Sequence, residues 1–214
     1  MGYDLVAEAQ RVLACGPVLA RSPVLADPPP RLSRRRRLIP MAADVDADVA
    51  AVLFARRGVS GQPCFELLVL EYHGALRAAG SRAEGTAGGG AGGGQWRLTG
   101  GSGGSAEDDM LAERPPASVL GGPLRWEGGG SCRSDLAPRI GLRRQHWLYH
   151  AQVRAAAEAH EVDVHGRRGE RTLPVWRHGQ LVVIWRGRGA PELTARDEHG
   201  RPLGEASSLA ASGW

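Results

Sequence analysis

Toward the C-terminal end, Val162/Val164, Leu173/Val175, Leu181/Val183/Trp185 and Leu193/Ala195 alternate with polar neighbours at period two, and Gly or Pro stands in every gap between these runs. Successive side chains of a strand point to opposite faces, so this spacing predicts half-buried strands joined by tight turns over 161–204. The run QLVVIW is apolar on both faces, which places Val183 and Ile184 inside a sheet instead of at its edge. His178-Gly179 reads as a tight hairpin loop. Asp197-Glu198-His199-Gly200 reads as a type I turn with glycine supplying the positive φ.

The strand pattern recurs upstream. VAAVLFARR at Val49–Arg57 and FELLVLEY at 65–72 are apolar on both faces and rich in branched and aromatic residues, as central strands of a hairpin are, with RGVSGQP between them as the turn. A short strand is expected at 95–99. In HWLYHAQVR, Trp147, Tyr149, Ala151 and Val153 share one face if extended, and His146, Leu148, His150 and Gln152 the other; a strand to about Arg154 is favoured, with a helix through 146–160 as its competitor. The expected fold is therefore mainly β, an antiparallel β-sandwich with one or two short helices and long Gly/Pro-rich loops.

The helices are predicted from caps. Asp4 precedes Leu5, Val6, Ala9, Val12 and Leu13, a single apolar stripe stopped by Gly16-Pro17. SAEDDMLAE at 105–113 offers an N-cap serine, three acids and then Pro115-Pro116 as a stop. Between these elements lie segments with little to bury: the Pro- and Arg-rich 17–40, the glycine-rich 78–94 and the irregular 121–135. The organisation expected is an N-terminal segment 1–47 of short helix plus extended linker, a sandwich-like domain 48–204 with an insertion at 78–94, and a tail 205–214. Met41 opens the better-patterned part and is an alternative start to Met1.

The chain has 214 residues and formal charge +4. It contains neither Lys nor Asn, so all 27 basic side chains are Arg. Codon usage in a GC-rich genome accounts for that bias, and arginine abundance alone therefore carries no argument for nucleic acid. Three distant cysteines, Cys15, Cys64 and Cys132, match neither a disulfide framework nor a metal-binding spacing. With no signal-like start and no apolar run of about 18 residues, the expectation is a cytoplasmic protein without a membrane span.

Four constellations carry candidate chemistry. Gly100-Gly101-Ser102-Gly103-Gly104 spells the GxSxG of serine hydrolases, with His178 and His199 downstream as bases. The match comes almost free in a stretch where seven of ten residues from 100 to 109 are Gly, Ser or Ala, and a loop capped by Ser105 is the simpler reading. The same loop fits GxGxxA, but Glu107, Asp108 and Asp109 would repel a phosphate there. His146, His150, His160 and His165 are dense, yet two of them four residues apart on a strand stand about 13 Å from each other, too far to share a metal. Trp176 and Trp185 with Arg177, Arg186 and Arg188 suggest an aromatic and guanidinium surface around the RHG turn, and Arg34, Arg35, Arg36 and Arg37 an anion contact. No cofactor or metal is implied.

The phrases HEVDVHG, LPVWRHGQLVVIWRG and ELTARDEHGRPLG resemble the closing segment of uncharacterised proteins of high-GC bacteria, over about sixty residues. That resemblance implies a β-sandwich-like module and no activity. The leading functional expectation is a non-enzymatic binding or protein-interaction module whose partner is another protein. The alternatives are a serine hydrolase using Ser102 with His178 or His199, and a nucleic-acid accessory protein using the arginine clusters.

Overall fold

The computed structural model describes residues 4–14, 32–33, 37–74, 94–106, 110–134, 147–187 and 189–208. Among these residues it is mainly β, with three antiparallel sheets and two short helices. The first sheet is a meander of β1 (Leu38–Asp46), β2 (Val49–Arg57), β3 (Pro63–His73) and β4 (Gln95–Ser105). The second joins β5 (Leu124–Arg133), β6 (Trp147–Ala155) and β9 (Gln180–Arg186) in that order. The third orders β11 (Ser207–Ser208), β10 (Glu192–Arg196), β7 (Glu161–Gly166) and β8 (Gly169–Pro174).

Alternation assigns each face of these sheets to a different core. Met41, Ala51, Leu53, Leu67 and Val69 of the first sheet pack against Leu148, Val182 and Ile184 of the second. The opposite face of the second sheet, Ala151, Val153, Leu181, Val183 and Trp185, packs against Val162, Val164, Leu173, Leu193 and Ala195 of the third. The outer face of the first sheet, Val52, Phe54, Leu68 and Leu70, is covered by Ala9, Val12 and Leu13 of α1 (Leu5–Leu13). The molecule is thus a stack of a helix and three sheets in which the middle sheet is buried on both sides, as the two-sided apolar pattern of its β9 requires.

Local chemistry explains several ends. Asp4 caps α1 through its carboxylate and the Ala7 N–H at 3.0 Å, and Gln10 Nε2 donates to the Trp96 carbonyl at 2.8 Å, tying the helix to β4. The 197–200 turn forms as expected, with Gly200 at φ 75° and its N–H on the Asp197 carbonyl at 3.0 Å. β6 ends at Ala155, which resolves 146–160 in favour of the strand.

Other expectations are corrected. The glycines of 100–104 are not a loop: they continue β4 to Ser105, pairing Gly101 with Leu68 and Ser102 with Leu67. A Cβ on Gly101 would stand 2.6 Å from the Leu67 carbonyl oxygen, and one on Gly100 2.7 Å from the Cys132 Cβ of β5, so glycine is demanded here by close approach of backbones. None of the described residues of 105–113 is helical. Instead Pro116 precedes α2 (Ala117–Leu120), closed by Gly121 at φ 85°. The stretch 121–135 contains β5, held by its register with β6, and 38–46, read as linker and lead-in, forms β1 against β2. His178-Gly179 does not close a hairpin: β8 pairs only with β7 and β9 only with β6, so this tight turn carries the chain from the third sheet to the second. β9 correspondingly ends its sheet in hydrogen-bonding order, although Val183 and Ile184 are both fully buried. Residues 17–31 of the linker, 78–93 of the insertion and 209–214 of the tail lie outside the described residues.

Ile184→Ala should lower unfolding free energy by about 2 to 4 kcal/mol, and Asp44→Ala, which removes the fully buried carboxylate that pairs with the partly buried Arg171 of β8, by about 3 to 5. Val59→Ala, at a fully exposed turn position, should change it by less than about 0.5 kcal/mol. Urea midpoints for the three variants check the layered assignment; equal, small effects would refute it.

Candidate functional site

Between the first and second sheets the two ends of the interlayer differ in chemistry. At one end lie the C-terminal ends of β1, β3, β5 and β9. There Glu71, fully buried, takes a hydrogen bond from Arg186 at 3.0 Å and another from Thr99 at 3.1 Å, and Ser134 donates to it as well. Arg186 also reaches Ser134 at 2.8 Å and Asp48 at 3.2 Å. Arg171 forks onto Asp44 at 2.7 and 2.6 Å, and Arg168 meets Asp48 at 3.0 Å. Burial raises the Asp46 carboxyl above its ordinary range against the pull of Arg171 and Arg168. Acids and guanidiniums here pair with one another, which is the structural solution for buried charge.

The opposite end is open. A cavity of about 510 Å³ is lined by Phe65 of β3, Ser105 and Ala106, Met110, the Arg125-Trp126-Glu127 run of β5, Gln152 and Arg154 of β6, and Gln180 of β9. Register explains this convergence: Arg125 lies opposite Arg154, and Arg154 opposite Gln180, so one row crosses all three strands on the face turned to the first sheet. Gln152 stands two residues along the same face. Arg154 is only 5% exposed and Gln180 1%, yet the Arg154 Nε and the Gln180 Oε1 are buried without a hydrogen-bond partner. Arg125 is held by Glu127 at 2.9 Å. Unpaired polar atoms at such depth are rare in folded proteins and cost stability unless something meets them.

Next to this row, the His178 ring accepts the Gln180 N–H at Nδ1, 3.0 Å away. A backbone N–H can only donate, so the ring is the neutral tautomer with its proton on Nε2. Burial first, then the nearby Arg154, Arg177 and Arg114 guanidiniums, push its pKa down to about 3, against the Met41 carbonyl, which favours the charged ring. His150, farther along the same face of β6, is pushed down to about 4 by burial, and neither of its nitrogens has a hydrogen-bond partner. Imidazoles this weakly basic do not accept a proton near neutral pH.

The residues singled out by sequence are dispersed. Ser102 is exposed on β4, and His199 is exposed in the 197–200 turn beside Glu198 at 3.6 Å; no hydrogen bond described links Ser102, His178 and His199. Trp185 is buried and stacked on Tyr149 with ring centroids 5.7 Å apart, Trp176 packs toward the α1 core, and Arg186 belongs to the paired network. Arg177 is exposed, while Arg188 and Arg34, Arg35 and Arg36 lie outside the described residues; Arg37 leads into β1, its carbonyl accepting the Arg57 N–H at 2.9 Å. Among the described residues no group of three His, Cys, Asp or Glu side chains is arranged to hold a metal. The cavity residues were not among the sequence candidates. Their one sequence signal is the polar run His150, Gln152, Arg154 on alternate positions of a strand whose other face is apolar. No family model, curated protein or solved structure matches the chain.

Both buried rings stay neutral in the folded state down to about pH 4 for His150 and about pH 3 for His178, whereas at the ordinary value of 6.5 an unfolded chain protonates them. Between these values the unfolded state binds more protons, so this contribution is complete above about pH 6.5 and is lost as pH falls, by up to about 1.4 kcal/mol per pH unit for each ring. His178→Asn keeps an acceptor for the Gln180 N–H and removes one titrating group. Urea unfolding between pH 7 and 4.5 should show a shallower pH slope for this variant than for the parent chain; identical slopes would contradict the buried neutral ring.

Proposed function

We propose that the protein is a non-catalytic binding module whose ligand site is the cavity between the first and second sheets. The observation that carries this reading is the register row Arg125, Arg154 and Gln180, which brings the deeply buried polar residues Arg154 and Gln180 to the wall of a cavity of about 510 Å³. A concave site of several hundred Å³ with convergent polar groups suits a small polar molecule. Phe65 and Met110, packed on the core between the first two sheets, supply its apolar part. Two further features support binding over hydrolysis: the buried histidines are poor bases, and among the described residues no base is hydrogen-bonded to Ser102 on its edge strand.

A small ligand is favoured over another protein as the partner. The cavity is a concave site of a size for a small molecule, and that is the ground for the choice. Among the described residues no helix is long and apolar enough to cross a membrane. The free Cys64 and Cys132 suit a reducing compartment, and the proposed site of action is the cytoplasm.

The neutral fluorophore N-phenyl-1-naphthylamine tests the cavity itself. Saturable one-to-one binding is expected for the full chain, and Ala106→Trp, which fills the cavity from its wall, should weaken it at least tenfold. A chain that gives no saturable signal, or an Ala106→Trp variant that binds as well as the parent, would sink the reading.

A further inference from the structure

The chemistry of the ligand follows from the kinds of hydrogen-bonding group that reach the cavity wall, on the premise that the inter-sheet cavity is the binding site. Strand β5 is irregular at this wall: Trp126 pairs with Val153 and Gly128 with Gln152, so Glu127 and Gly128 together oppose one residue of β6. A bulge of this kind re-aims a side chain. Gly128 adds none of its own, and the Glu127 carboxylate accepts a hydrogen bond from Arg125 at 2.9 Å where both line the cavity. Both side chains keep accessible surface, 45% for Arg125 and 20% for Glu127, so both can exchange water for a ligand. Gln152, opposite the bulge, and Arg154, opposite Arg125, continue the same wall.

We propose that the cavity binds a neutral hexose, its hydroxyls on Arg125, Glu127 and Gln152 and the C–H face of its ring toward Phe65. The wall presents both kinds of partner: a guanidinium only donates, an ionised carboxylate only accepts, and an amide does both. Vicinal hydroxyls, each a donor and an acceptor, answer all three from one rigid ring. A ligand of a single kind does not. A carboxylate or phosphate would bring a second anion to Glu127, an ammonium would bring another cation to Arg125 and Arg154, and like charges at close range repel. The first sheet supplies the other half of the recognition. Phe65 of β3, partly buried against the core of the first two sheets, lines the cavity from that side, and the electron-rich face of an aromatic ring suits the C–H bonds of a sugar. The volume of about 510 Å³ lies within the range of small-molecule sites.

Isothermal titration of the full chain at neutral pH with D-glucose, D-galactose and D-mannose, each beside its uronate and its 2-amino sugar, tests this. At least one hexose should bind one to one and at least about tenfold more tightly than either of its charged relatives, the loss expected where like charges meet in a site. Glu127→Gln should weaken that hexose at least about fivefold, as loss of a charged acceptor does, and should narrow the gap between hexose and uronate, a change of selectivity that mere loosening of β5 would not produce. Glu161→Gln, the same charge change at the exposed start of β7, should leave affinity and selectivity intact. The parent-chain comparison needs no variant and stands even if Glu127→Gln does not fold. A uronate or amino sugar bound as tightly as its parent hexose would overturn the neutral ligand, and so would a folded Glu127→Gln variant with unchanged selectivity. Binding of no hexose by a chain that still takes up N-phenyl-1-naphthylamine would overturn sugar recognition and leave the cavity as a binding site. Failure of the neutral fluorophore as well would remove the site itself.

Discussion

One ion pair holds the three sheets in register. Arg171 on β8 reaches Asp44 on β1 through a two-pronged contact, and between them runs β9: the Ile184 N–H donates to Asp44 at 2.8 Å and the Ile184 carbonyl accepts from Arg171 at 2.7 Å. β9 has a hydrogen-bonded neighbour on one side only, and a buried strand edge must find donors and acceptors elsewhere. The carboxylate and the guanidinium stand in for the missing strand. Each charge is thereby desolvated only where a partner waits for it, the condition under which a buried pair is tolerated. The third sheet could not dock on the second, nor the second on the first, with this edge left unpaired.

That arrangement also sets what the rest of the interlayer can be. With the C-terminal ends of β1 and β9 locked by Asp44, Arg171 and Arg186, the two sheets are pinned where β3 and β5 also finish. Gly100 of β4 then lets the Cys132 side chain of β5 come close, and within the second sheet Gly130 of β5 leaves room for the His150 ring of β6. At the other end Phe65 and Met110 stand at the margin of this interlayer, and the space beside them is the cavity. Among the described residues the interlayer is thus tied by ion pairs at one pole and hollow at the other.

Much of the framework was legible in the sequence, because it rests on local rules. The two-sided apolar run of β9, the alternation of β6, the Asp4 cap and the glycine of the 197–200 turn each follow from the chemistry of a few adjacent residues. What escaped depends on distant partners. Glycine has poor strand propensity, so β4 and β5 look like loops until the neighbouring backbones that require them are in place. The row Arg125, Arg154 and Gln180 exists only through strand register. In a chain whose basic residues are all arginine, nothing in the local sequence marks Arg154 as the buried one and Arg133 as the exposed one.

The helix that covers the first sheet has a bearing on how the chain is made. Gln10 of α1 docks on the Trp96 carbonyl, 86 residues further on, and its apolar stripe of Ala9, Val12 and Leu13 rests on strands synthesised after it. At ribosomal rates of about 5 to 20 residues per second, roughly 4 to 17 s separate the emergence of the two partners. A nine-residue helix is too short to be stable alone, so its stripe stays uncovered until Val52, Phe54, Leu68 and Leu70 of β2 and β3 have paired behind it. The Gln10 contact closes later still, when β4 joins the sheet.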